Sequence, residues 1–127
     1  MSTEYLISQQ PGYLRVEVLP SITFAGMLRA YQEVGAMDRK TQQPRLWVFP
    51  DELSSTMLEE FTLERIRKLI PAGIEQAVAG KAAFATADDV LFGKIRQTVG
   101  LRPDENDRFG VFRSEAEALS WLDVGVS

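Results

Sequence analysis

Residues 5–31 read YLISQQPGYLRVEVLPSITFAGMLRAY, and the spacing of their apolar positions changes partway along. From Tyr13 to Leu19, Leu14, Val16 and Val18 alternate with Arg15 and Glu17, the period of a half-buried strand. Tyr5 to Gln10 reads as a second strand, and Gln10-Pro11-Gly12 between them is a turn signal, so the two form a hairpin closed by Leu19-Pro20-Ser21. Beyond it Phe24, Met27, Leu28 and Tyr31 fall at i, i+3, i+4 and i+7, one face of a helix. Ser21 or Thr23 is placed to cap that helix and Gly35 to end it.

The rest of the chain repeats a strand-then-helix rhythm. After the polar loop from Asp38 to Gln43, Arg45 to Phe49 is a short strand apolar on both sides, as in a sheet covered on two faces. Leu58, Phe61, Ile66, Leu69 and Ile70 predict a second helix that Pro71 ends or kinks. Lys81 to Thr86 is a strand. Asp88 or Asp89 caps the helix after it, whose inner face carries Leu91, Ile95 and Val99. A polar connection from Gly100 to Arg108 leads to the last strand, Phe109 to Phe112. Ser114 and Glu117 then have capping-box spacing ahead of a helix with Ala118, Leu119 and Leu122 on its apolar face. The order ββαβαβαβα predicts one α/β domain over residues 1–127. Its sheet is mixed and five-stranded, with an antiparallel N-terminal hairpin and the last three strands parallel and side by side.

With 127 residues the chain is long enough to bury a core without staples. It contains no cysteine and no histidine, which removes disulfides, thiolate chemistry, and the usual general base, zinc ligand and pH switch. A net charge of −4 argues against binding to nucleic acid or to an anionic membrane. The N-terminus lacks the pattern of a signal peptide and no apolar run approaches the length of a membrane helix, so a cytoplasmic protein is expected.

Few residues suggest chemistry. Asp88-Asp89 is a carboxylate pair, but adjacent helix residues do not face each other, and at a helix start one caps free amides while the other meets the positive end of the dipole. Gly93-Lys94 lacks the first glycine and the Ser/Thr partner of a phosphate loop. There is no dinucleotide fingerprint and no nucleophile elbow. No catalytic residue, metal ligand or cofactor is therefore expected. The aromatics Trp47, Phe61, Phe92, Phe112 and Trp121 read as core or as the lining of a pocket, two readings separated by whether a cavity remains among them.

The junction RLWVFPDELSSTMLEEF, residues 45–61, holds Ser54, Ser55 and Thr56 ahead of the second helix. Thr56 and Glu59 have capping-box spacing, so the hydroxyls read as a helix cap. A phosphate at a helix N-terminus is also well accommodated, which makes Ser54 and Ser55 candidate phosphorylation sites.

Three stretches carry a family resemblance: GYLRVEVLPSITFAGMLRAY (12–31), KAAFATADDVLFGKIRQ (81–97) and FGVFRSEAEALSWL (109–122). With the element order, they resemble the STAS/SpoIIAA-like fold, the group that includes the anti-sigma-factor antagonists, and most of all its small bacterial STAS-like proteins. The resemblance implies the fold first. It also implies a module that binds a protein partner and, in the antagonists, is switched by phosphorylation of a serine that starts the helix after the third strand, in an Asp-Ser-Gly or Asp-Ser-Ser-Gly context. Here Leu53 precedes Ser54 and Thr56 follows Ser55. The expectation is a non-enzymatic cytoplasmic binding or regulatory module that works through a protein partner and can self-associate. The alternative is a small-molecule or lipid carrier with a pocket between sheet and helices.

Overall fold

The computed structural model of the chain describes residues 4–37, 43–51, 59–62, 64–68, 81–100 and 109–122. Five strands, β1 (Tyr5–Gln10), β2 (Tyr13–Val18), β3 (Arg45–Val48), β4 (Ala82–Ala85) and β5 (Phe109–Phe112), form one sheet in the order β1-β2-β3-β4-β5. β1 and β2 are antiparallel, with Ile7 opposite Val16, and β2 through β5 are parallel, with Val16, Trp47, Phe84 and Val111 in one row. Helices α1 (Phe24–Met37), α2 (Asp89–Gly100) and α3 (Glu115–Leu122) accompany them. The mixed five-stranded sheet and its parallel inner strands are those the sequence predicts.

Turn chemistry fixes the hairpin. Proline holds φ near −65°, and Gly12 at a φ of 84° supplies the left-handed second corner, which together make a type II turn. Alternation then divides the sheet residues between two cores. On one face Leu14, Val16, Val18, Trp47, Ala82, Phe84 and Phe109 pack against Met27, Tyr31 and Val34 of α1, Ile66, and Leu91 and Ile95 of α2. On the other, Tyr13, Leu46, Ala83 and Ala85 pack against Ala118 and Leu122 of α3. β4, Ala-Ala-Phe-Ala, is buried at every position, and its alanines let α3 approach closely.

Because the strands lie in chain order, each crossover from β2 onward moves the same way across the sheet. Right-handed crossovers in one direction place their helices on one face. α1, the helical turn over residues 64–68, and α2 share it, while α3 covers the other.

Two expectations about helices are corrected. α1 runs through Gly35 to Met37, because Gly35 is buried within the helix and keeps helical dihedrals instead of the left-handed turn that ends one. The second helix is not continuous: Phe61 and Thr62 are non-helical between helical residues at 59–60 and 64–68. Thr62 restarts the helix as its cap, its Oγ1 accepting from the Arg65 amide at 3.3 Å and its carbonyl from the Ile66 amide at 2.9 Å. The Phe61 carbonyl is turned instead to Lys94 Nζ of α2, at 3.2 Å.

Candidate functional site

In parallel α/β sheets ligands gather at the carboxyl edge of the strands, where helix N-termini offer unsatisfied amides and a positive dipole end. α1, α2 and α3 all begin at that edge here, after β2, β4 and β5. Each of these three described N-termini is filled from within the chain.

At α1, Thr23 Oγ1 accepts from the Gly26 amide at 3.0 Å. Glu4, just before β1, completes the cap: its Oε1 accepts from the Thr23 amide at 3.1 Å and from the Thr23 hydroxyl at 2.9 Å, and its Oε2 pairs with Arg29 one helical turn further on. The carboxylate lies so close that a Cβ on Gly26 would stand 2.7 Å from Glu4 Oε1. The Glu4 carbonyl accepts from the Leu19 amide at 3.0 Å, so the same residue extends the hairpin ladder.

At α2 the two aspartates part company. Asp88 Oδ1 accepts from the Leu91 amide at 2.8 Å, and the Asp88 amide donates to Thr86 Oγ1 at 3.2 Å. Asp89 points outward, 88% exposed, and pairs with Arg113. Arg113 also donates to the Ala87 carbonyl at 3.1 Å and covers the Phe92 ring at 4.9 Å. The two carboxylates therefore do not converge on a common ligand. Among the described residues no group of three acidic, histidine or cysteine side chains could hold a metal.

At α3, Ser114 Oγ accepts from the Glu117 amide at 3.2 Å. The return bond of a capping box is not made: Glu117 is exposed and its carboxylate has no partner among the described residues. Glu115 holds the first turn down instead, its Oε1 2.5 Å from Arg15 Nε and its Oε2 3.4 Å from the Arg15 terminal nitrogen. The hydrogen bond to Glu115 is the main reason the Arg15 guanidinium is held still more firmly protonated than usual.

Tyr5 and Tyr31 are the other perturbed groups. Burial first, then a 2.5 Å bond to Glu33 Oε2 on α1, pushes the Tyr5 phenol up to about 12. Tyr31, fully buried, is raised further by burial alone. Tyr31 meets Trp47 edge-on at 4.7 Å, and Trp47, Phe84 and Phe109 stack across the sheet. Met27, Tyr31, Phe49, Phe61, Ile66, Phe84, Leu91 and Ile95 enclose a cavity of about 10 Å³, roughly the space one water needs, with almost no polar surface to hold it.

Of the residues singled out in the sequence, Asp88, Asp89, Ser114 and Glu117 thus stand at helix starts on one edge, while Ser54, Ser55 and Thr56 lie outside the described residues. Sequence reasoning missed Glu4, Arg15 and Arg113, whose partners are distant in the chain and leave no local spacing to detect. Thr62 did carry a signal, a hydroxyl followed by Glu64 and Arg65, but it stood inside an unbroken apolar pattern. Among the described residues no helix is long and apolar enough to cross a membrane. Comparison with known proteins returns no matching family model, no matching curated sequence and no matching solved structure.

Proposed function

We propose that this chain is a non-enzymatic binding or regulatory module of STAS-like fold that acts on a protein partner through its surface. The observation that carries the reading is the filling of the three described helix N-termini at the carboxyl edge. The helix N-termini that an α/β enzyme would turn to substrate are filled by Thr23 with Glu4, by Asp88 and by Ser114. The hairpin start, the parallel inner strands and the terminal capped helix agree with the arrangement that the STAS resemblance implies. A carrier needs a void of roughly 300 Å³ or more; the core aromatics among the described residues leave about 10 Å³, and for that described core the partner module is favoured over the carrier.

The test is purification of the tagged chain from its own cell under mild conditions, analysed for both proteins and small molecules. A protein retained in near-stoichiometric amount, with no small ligand in the denatured extract, is the expected outcome. A stoichiometric small molecule released on denaturation would replace this reading with the carrier. Intact-mass analysis of the same sample tests Ser54 and Ser55: the unmodified mass is expected, since the flanking Asp51, Glu52, Glu59 and Glu60 repel a phosphate carrying about −1.5 to −2 charges.

A further inference from the structure

β1 is an edge strand, and its outer side is chemically unfinished. The Glu4 carbonyl accepts from the Leu19 amide, and hydrogen-bonded and non-bonded pairs alternate along an antiparallel ladder. Leu6, Ser8 and Gln10 therefore exchange bonds with β2, and the amides and carbonyls of Tyr5, Ile7 and Gln9 point away from the sheet. Among the described residues none of these outward groups has a hydrogen-bond partner.

Edge strands are usually protected by charge, proline, a bulge or very short length. β1 has none of these. It is six residues, Tyr-Leu-Ile-Ser-Gln-Gln, without a charged side chain or proline, in unbroken register with β2, and its Leu6 is 52% exposed. In a chain of net charge −4 with 25% charged residues, such a neutral six-residue edge is a distinct surface.

We propose that two copies of the chain join through β1, antiparallel about a two-fold axis at Ile7, to make one continuous sheet. This register uses all three outward residues: Ile7 faces its own copy, and Tyr5 faces Gln9 of the second copy in both directions, each pair exchanging amide-to-carbonyl bonds. A shift by two residues loses one of the three pairs. The side chains agree with it. On the sheet face that carries α3, Leu6 comes opposite Ser8 of the second copy. The row across the junction then reads Glu17, Leu6, Ser8, Arg15, with opposite charges at its two ends. On the other face the half-buried Ile7 meets its equivalent. The surface is self-complementary, so a second copy satisfies it without any other molecule. The proposal does not rest on the partner module proposed above and can fail or stand separately from it.

The test combines sedimentation equilibrium with amide hydrogen exchange on the full chain. A reversible dimer of twice 14.2 kDa is expected, its population rising with concentration from micromolar to submillimolar. In the dimer the Tyr5, Ile7 and Gln9 amides should exchange about tenfold or more slowly than in the dilute monomer, while Leu6, Ser8 and Gln10 stay protected in both. Gln9→Pro removes one outward N–H without touching the ladder to β2, and Leu6→Lys places charge on the edge. Each should yield a monomer with an unchanged circular dichroism spectrum, whereas Gln9→Ala, which keeps the amide, should still dimerise. A monomer at the highest concentration, a dimer whose Tyr5, Ile7 and Gln9 amides remain unprotected, or an open-ended oligomer would each overturn the proposal.

Discussion

Arg15 Nε and Glu115 Oε1 stand 2.5 Å apart although one hundred residues separate them, and their side-on contact fastens the first turn of α3 to β2. Arg15 also approaches Glu17 at 3.5 Å, so one guanidinium serves two carboxylates. The two principal side chains are 25% and 39% exposed. The pair is thus neither a screened surface bridge nor a desolvated one. A double-mutant cycle over Arg15→Ala and Glu115→Ala should return a coupling of about 1 kcal/mol that shrinks as salt is added. A coupling within error of zero at low salt would mean that the contact does not hold α3.

Two glycines in helices should respond oppositely to the same substitution. Alanine is better than glycine in a helix interior by about 0.5–1 kcal/mol. At Gly93 of α2 a Cβ meets nothing within 4 Å, so Gly93→Ala should raise stability by that amount in a urea titration. At Gly26 the new Cβ would stand 2.7 Å from Glu4 Oε1 and displace the cap of α1, so Gly26→Ala should destabilise by about 1–2 kcal/mol. Made in a Glu4→Ala background, Gly26→Ala should cost nothing further or stabilise. Equal effects in both backgrounds would remove Glu4 from the cap.

The contrast between those glycines also shows what could be read from the sequence. Local rules carry local structure: the Pro11-Gly12 turn, the alternation of Leu14, Val16 and Val18, and the caps Asp88 and Ser114 depend on neighbours within four residues. The hairpin and the adjacency of the last three strands follow from those elements, because right-handed crossovers leave few arrangements, while the pairing of β2 with β3 is added by the structure. Glu4 could not be read, since its partners Thr23 and Arg29 come to it only once the hairpin has formed. The break at Phe61-Thr62 was hidden for a similar reason, because its competing interaction is the bond from Lys94 of α2 to the Phe61 carbonyl. Gly35 was misread because burial, not backbone conformation, is what the position requires.

Alkaline stability should follow the tyrosines. A phenol raised in the folded state keeps its proton to higher pH than in the unfolded chain. Below about pH 10 both states are protonated and the contribution is complete. From there upward the unfolded chain ionises first, and stability falls as pH passes toward the folded value of about 12 at Tyr5. Tyr31, raised further, extends the decline. Urea midpoints measured from pH 9 to 12 should therefore drop steeply in the parent chain and less steeply in Tyr5→Phe. Identical slopes in the two proteins would show that the Tyr5 phenol is not raised in the folded chain.

Asp88 and Asp89 offer the sharpest separation between a structural pair and a chemical one. Were the two carboxylates to share a proton or an ion, removing either would disturb the same site, and each loss would depend on the other. Their surroundings give them different tasks instead. Asp88 satisfies the Leu91 amide at 2.8 Å and is itself steadied by Thr86, whereas Asp89 is 88% exposed and among the described residues pairs with Arg113, a residue already held by the Ala87 carbonyl and the Phe92 ring. Asp88→Ala leaves an amide of the first helical turn without its acceptor and should cost about 1–2 kcal/mol, while Asp88→Ser, which keeps a capping oxygen, should recover most of it. Asp89→Ala loses an exposed ion pair and should change stability by less than about 0.5 kcal/mol. The double variant should equal the sum of the two, because neither side chain acts through the other. Thermal unfolding of the four proteins with and without added divalent cation makes the comparison complete. A cation-dependent rise in the parent chain that either substitution abolishes would make the pair a binding site and the capping account wrong.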